Sequence, residues 1–562
     1  MISIALATLA VVLLASWLLF PPRHRHGCAT RQTAINNSTV RPPPCVVGLP
    51  LLGNALPLGK EGANFLYKCW KRYGDAFTLH AAGQKMTFLF SPHSLVHYLR
   101  APETELSFLP AVEQWTERVF GLPPAEFLPR HHLILSSTRN LVGRKGAENI
   151  DQHAKTLMPL LKKGISKWLM NANNDLDGKK QQQHQQQHLS TSNASAWVKL
   201  ELSEAIAKLV FSASVEALFG AAFLQRHGAG YLYPAFFEFE QCFELAASPI
   251  PHFLQPKFRI AREKLLKAIT KSYLSGDFAG FMIGDLIQVS GMPPHAVPNM
   301  ILAVLWASQA NTVPTAFWTI GFLLLPEHKS TYLQQIRASI DQGRGDSSTL
   351  PSFACDSSSL LIKCCMESLR LRSASTDVRM AAKDFILNNQ HDEDILIEKG
   401  TMVMICPWIS HMDPRLYEDQ PEVFNPHRQG AALPCDTNTA RVNNSCTTTS
   451  SCINRQLHGA VAGVGGLAGL AFGGGKFRCP GRSFAEMELG LVVGMIIDEL
   501  EIELVVSGEE ASGEKSSGAS TAMSGSCPGD PHGLLPAPDV RRLVGVKVPD
   551  GPCWVRIRQR ER

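Results

Sequence analysis

The segment FGGGKFRCPGR, residues 472–482, places Cys479 in a glycine-rich loop, and SFAEMELGLVVGMIIDEL then follows with helical periodicity. Gly473, Gly474 and Gly475 let the backbone turn tightly and approach a flat ligand with no Cβ in the way. Pro480 suits a first helical position, so the thiol faces a helix start. The helix dipole and the free N–H groups there favour the ionised thiolate, which is the metal-binding form. The loop therefore points to a thiolate on an iron. By itself, a cysteine beside glycines is more often a small buried core residue, so the choice turns on what else the chain carries.

In the helical run LLIKCCMESLRL, Glu367 and Arg370 stand three apart and share a face, where they can pair. Downstream, HMDPRLYEDQPEVFNPHR sets Arg428 in an F-x-P-x-R string. With Phe472, Gly475, Cys479 and Gly481 matching F-x-x-G-x-[RH]-x-C-x-G, these segments and their order resemble the cytochrome P-450 superfamily. The resemblance implies a mainly α fold with small β-sheets, holding haem b (iron protoporphyrin IX) on Cys479 as the axial thiolate. It implies O2 as oxidant, with electrons from NADPH through the NADPH-cytochrome P-450 reductase. It also implies a buried triad of Glu367, Arg370 and Arg428 bracing the thiolate loop.

Residues 2–20, ISIALATLAVVLLASWLLF, form an uncharged apolar run followed by Pro21, Pro22 and the basic cluster Arg23–His26. That is long enough to span a bilayer once. A signal peptide would carry its charge before a shorter apolar core; here the charge follows, which puts the rest of the chain on the cytosolic side. The expected organisation is an anchor at 1–20, a linker at 21–40 and a catalytic domain at 41–562. By the resemblance, the anchor sits in the endoplasmic reticulum membrane and RPPPCVVGLPLLG is a stiff hinge. FTLHAAGQKMTFLF reads as a hairpin, and most of about 150–380 as helix. Three polar tracts, near 171–195, 435–466 and 507–533, read as disordered insertions; the histidines of the Gln tract are assigned no function. Net charge is +5 with no basic run interleaved with aromatics, which leaves nucleic acid binding without support. Fourteen cysteines without a C-x-x-C pair argue for a reducing environment.

Most monooxygenases of the superfamily carry [AG]-G-x-[DE]-T-[TS] in a long central helix, whose acid and hydroxyl deliver protons. The matching run here is NMILAVLWASQANTVPTAFWTIGFLL, with Ala310 in place of the acid and Asn311 in place of the first Thr. An amide cannot give up a proton as an acid can, but it can hold an ordered water. A plain alternative is a polar notch kinked by Pro314. This run resembles the branch of sterol 7α-hydroxylases and prostacyclin synthase. GQKMTF and LVGVKVPDGPCWVRIRQR resemble the oxysterol 7α-hydroxylases acting on 24-hydroxycholesterol, in cholesterol and bile acid metabolism. The position two before the cysteine is Phe477, not Arg or His, which leaves Arg379 as the expected propionate-binding arginine. Ala307 and Ala310 would leave room for a sterol ring; Trp306, Phe236, Phe237 and Phe243 are pocket or entry candidates, and Lys476, Arg478 and Arg482 suit an acidic reductase. Two rivals remain: a haem-thiolate isomerase needing no reductase, and a non-catalytic membrane protein keeping the fold.

Overall fold

The helices Thr312–Leu324 and Arg482–Glu499 are buried along most of their length and organise the interior, because a helix apolar on most sides is stable only when surrounded. The computed structural model describes residues 34–35, 38–50, 52–143, 147–180, 197–343, 353–354, 356–387, 394–417, 420–428, 469–505 and 528–561. The expected anchor at 2–20 and tract 435–466 lie outside the described residues; among those residues no helix is long and apolar enough to cross a membrane.

The elements used below are, in chain order, strands β1 (Ala76–Ala81), β2 (Gln84–Leu89), β3 (Leu106–Ser107), β4 (Val198–Glu201), β5 (Asp377–Ala381), β6 (Met402–Ile405), β7 (Leu500–Leu504) and β8 (Trp554–Gln559). The helices are α1 (Ala147–Lys180), α2 (Leu202–Phe219), α3 (Ala229–Gln241), α4 (Phe243–Ala247), α5 (Val297–Gln309), α6 (Thr312–Leu324), α7 (Leu360–Arg372) and α8 (Arg482–Glu499). The fold is mainly helical with small sheets, as the sequence suggested. α6, α7 and α8 pack on one another at the centre, with α2 against α6 and α1 against α8.

The expected hairpin is β1–β2, paired antiparallel from Ala76↔Leu89 to Ala81↔Gln84. Its two-residue turn has positive φ at both Ala82 and Gly83, the geometry that matches strand twist. The sheet runs β1-β2-β6-β5-β3, with β6 parallel to β2 and antiparallel to β5. This sets Arg379 on a central strand. A second sheet, β7-β8-β4, joins the chain's C-terminal strand to the helix that carries on from Cys479.

Three local expectations change. α8 starts at Arg482 behind an N-cap at Gly481, so Pro480 sits in the turn before the helix. α1 continues to Lys180, so the polar tract at 171–195 begins as helix. The tail of the tract at 507–533 is packed: Asp530 is fully buried and accepts the amides of His532 and Leu535, at 3.3 and 2.7 Å. A side-chain acceptor for local amides orders a segment that composition marks as loop. Asp530→Ala strands these amides and is expected to cost about 1–3 kcal/mol, read as a lower midpoint in urea unfolding.

Candidate active site

Pro314 explains the break that shapes the site. It has no N–H to offer the Ala310 carbonyl and its ring crowds that carbonyl, so a continuous helix cannot pass. The chain therefore ends α5 at Gln309 and restarts α6 at Thr312, with Pro314 in a first turn where an N–H is dispensable. Thr315 closes the new start by donating both its amide and its hydroxyl to the Asn311 carbonyl, at 3.2 and 2.7 Å. The Asn311 side chain takes the Val546 amide on its Oδ1 at 3.0 Å and borders a cavity.

That cavity has a volume of about 230 Å³, and its largely apolar lining with a few polar groups is of the kind that takes small molecules and cofactors. Cys479, Phe472, Ala307 and Asn311 line it together, with apolar Val142, Leu218, Val304 and Leu489 and the hydroxyls of Thr138, Ser308 and Thr312. The other candidates are not on this lining. Gly475 acts in the loop, and Ala310 falls in the helix break. Trp306 instead stacks on Phe243, with centroids 4.1 Å apart and planes at 6°. Phe236 packs on Phe211 in the core, while Phe237 faces outward beside Tyr233. These aromatics therefore build the roof and core more than a pocket wall.

The Cys479 loop is closed by its own backbone: the Cys479 amide donates to the Phe472 carbonyl at 2.9 Å, and Gly473 to Leu470 at 2.9 Å. Gly475 has φ of +62°, and a Cβ there would stand 2.3 Å from the Leu99 carbonyl. The packing of the loop against Leu99 therefore requires a glycine here. The thiol is open to the cavity. Burial pushes its pKa above the ordinary thiol value, against the pull of the Gly481 amide and of Arg482, Arg478 and Arg139. The expectation of a thiolate preformed by the helix start is thus corrected. Desolvation outweighs the pull of these groups, and a bound metal would take the proton off.

Beneath the loop, Glu367 and Arg370 form a two-pronged pair of 2.7 and 2.8 Å with both side chains fully buried. Arg428 reaches Glu367 at 3.5 Å and donates to the Gln420 and Val423 carbonyls. Arg370 also donates to the carbonyls of His411 and Pro421, both at 2.7 Å. Sequence reading passed over His411, which carries this network to the thiolate loop. Its Nδ1 donates to the Arg370 carbonyl at 2.8 Å and its Nε2 accepts the Leu470 amide at 3.1 Å. Burial and Arg370 pull its pKa down to about 3, so it stays neutral with the tautomer these partners require.

Arg379 lies off the cavity lining, packed over the rings of Tyr98 and Phe477 at 4.3 and 5.0 Å. It is almost fully buried, donates Nη1 to the Tyr98 carbonyl, and leaves Nε and Nη2 without a partner. Two stranded donors on a buried cation leave room for an anion, in addition to the buried carboxyl of Asp377 that already stands near Arg379. With a soft thiol on a largely apolar cavity, the residues present fit a haem. Arg482, by contrast, is engaged by Glu486 at 2.6 Å and lies over Phe472, so less of its charge is available to a partner than the sequence suggested.

A second residue missed from sequence is Glu488, fully buried on α8, lining the cavity and taking the Ser214 hydroxyl proton of α2 as a hydrogen bond. Burial raises its pKa to about 7, with the Ser214 and Thr312 hydroxyls pulling it back; no well-formed hydrogen bond reaches Oε2. A lone acid inside the apolar run MELGLVV was the available signal.

The cytochrome P450 family profile matches residues 42–523. Among relatives, the 24-hydroxycholesterol 7-alpha-hydroxylase of Mus musculus is 24% identical, over 92% of this chain and 93% of its own length. The 5-beta-cholestane-3-alpha,7-alpha-diol 12-alpha-hydroxylase of Sus scrofa is 25% identical over 81% and 85%. Human prostacyclin synthase is 24% identical over 69% and 76%.

Removing Glu367 by Glu367→Ala leaves two buried guanidinium groups uncompensated and is expected to cost about 3–5 kcal/mol, seen as reduced haem content and an early unfolding midpoint. Glu488→Gln tests the other acid. Glu488 stays neutral in the folded chain while the unfolded carboxyl ionises near 4.5, so wild-type stability drops relative to the mutant as pH rises from 4.5 to about 7. The gap is expected to change by up to ~3 kcal/mol in denaturant titrations across that window, and to be flat above it.

Proposed function

The chain belongs to the cytochrome P450 family and is a monooxygenase, and from that premise we propose that it hydroxylates a sterol, with 24-hydroxycholesterol or a related oxysterol at carbon 7 as the first candidate. The observation that carries the reading is the part of the cavity lining that α5 and α6 contribute: apolar Val304 and Ala307 with the Ser308 and Thr312 hydroxyls beside Asn311. Such a lining suits a large apolar ring system bearing isolated hydroxyl groups. The sterol-hydroxylase names of relatives matched over most of their length support the same class.

Haem b held by Cys479, with Phe472 beside it and Arg379 at a propionate, would supply oxygen activation with electrons from NADPH through the reductase. The protein's own residues do the rest. Ala307 keeps the α5 wall low where a ring must approach. Asn311 accepts the Val546 amide on its Oδ1 at 3.0 Å, and its Nδ2 can offer N–H donors to a water in the cavity. Ala310 holds no proton, so proton supply falls to water ordered by Asn311 and by the Ser308 and Thr312 hydroxyls. Residues 2–20 would anchor the enzyme in the endoplasmic reticulum membrane with its catalytic domain toward the cytosol.

Turnover of 24-hydroxycholesterol with reductase and NADPH is expected to yield a 7α-hydroxylated product. Product formed without NADPH from a peroxide would instead favour the isomerase. Asn311→Ala is expected to keep haem bound while lowering product per NADPH consumed by about 10²-fold, within the range for lost proton assistance. An unchanged ratio would remove Asn311 from the mechanism.

A further inference from the structure

The segment Arg542–Val546 crosses from the outer surface to the cavity, which Val546 lines. One edge of this strap is tied to the stretch after α7: Ala374 and Ser375 donate to the Gly545 carbonyl at 2.9 and 3.0 Å, and Thr376 to Leu543 at 2.8 Å. Among the described residues, no strand pairs with the amides on its other edge. Side chains from two separate helices take them instead. Glu244 of α4 accepts both the Leu543 and Val544 amides at 2.7 Å, and Asn311 accepts the Val546 amide. Glu240, at the end of α3, pairs with the Arg542 side chain.

These contacts close a ring. Phe243, next to Glu244, stacks on Trp306 of α5; Trp306 lies five residues before Asn311, and Asn311 returns to the strap. Moving the strap therefore moves Asn311 or α4 with it. Gly545 shows how little slack there is, because a Cβ there would lie 2.8 Å from Asn311 Oδ1.

We propose that Glu244 is a substrate-positioning residue, whose carboxylate clasps the Leu543 and Val544 amides and so fixes Val546 and Asn311 against the bound substrate. A carboxylate accepting two backbone amides on one oxygen is a strong, directional tie. It acts through the strap and does not touch the reacting atoms. The proposal rests on the sterol reading only for its probe.

The haem-loaded full chain, wild type, Glu244→Ala and Glu244→Gln, is compared by amide hydrogen exchange and by spectral titration with 24-hydroxycholesterol. Glu244→Ala is expected to speed exchange at 542–546 by about tenfold and to raise the spectral dissociation constant by about tenfold, with the thiolate-type spectrum unchanged. Glu244→Gln keeps an acceptor oxygen and is expected to recover most of both. Unchanged exchange in the strap, exchange raised across the whole domain, or no recovery with Gln would each overturn the clasp. Should no sterol shift the wild-type spectrum, the substrate reading fails, and the exchange comparison still decides the clasp.

Discussion

The buried pair of Glu367 and Arg370 is the interaction on which the site depends. Neither charge has water to fall back on, so each must be met by protein, and the partners they draw in reach the Cys479 loop. Arg370 gathers the carbonyls of His411 and Pro421, Glu367 takes the Asn425 amide, and Arg428 closes the far side. A neutral His411 then hands the same constraint to Leu470, only two residues before Phe472. Removing water from the charges is costly, and that cost is what makes the arrangement unforgiving.

Opposite the loop, a covalent restriction does comparable work. The missing N–H of Pro314 opens the central helix and turns Asn311 toward both the cavity and the C-terminal strap. Trp318 of the same helix donates to the Lys547 carbonyl at 2.6 Å, fastening α6 to the strap's far end. The cavity thus has one wall set by buried charge and another by a broken helix, and the chain's last segment is bound to both. This is a frame that can hold a flat cofactor and a rigid substrate in fixed register, which is the part of catalysis that the protein rather than the cofactor supplies.

What the sequence revealed was the part written in local spacing. Cys479 among glycines, Glu367 three before Arg370, and the β1–β2 hairpin all depend on neighbours within a few residues, where spacing and geometry are nearly the same thing. What it hid depends on partners far along the chain. Ser214 meets Glu488 across 274 residues and Val546 meets Asn311 across 235, and nothing in either local pattern names the other. Charge balance at Cys479 was misread for a related reason: the helix start is visible in sequence, but the burial that outweighs it is a property of the folded whole.

The most direct test of the account is the carbon monoxide difference spectrum of the reduced, haem-reconstituted chain, wild type beside Cys479→Ala. A thiolate-type Soret band in the wild type that is lost in the mutant is the expected result. A wild-type spectrum without that band, or the same band in both proteins, would contradict Cys479 as the iron ligand, and with it the functional reading of the cavity.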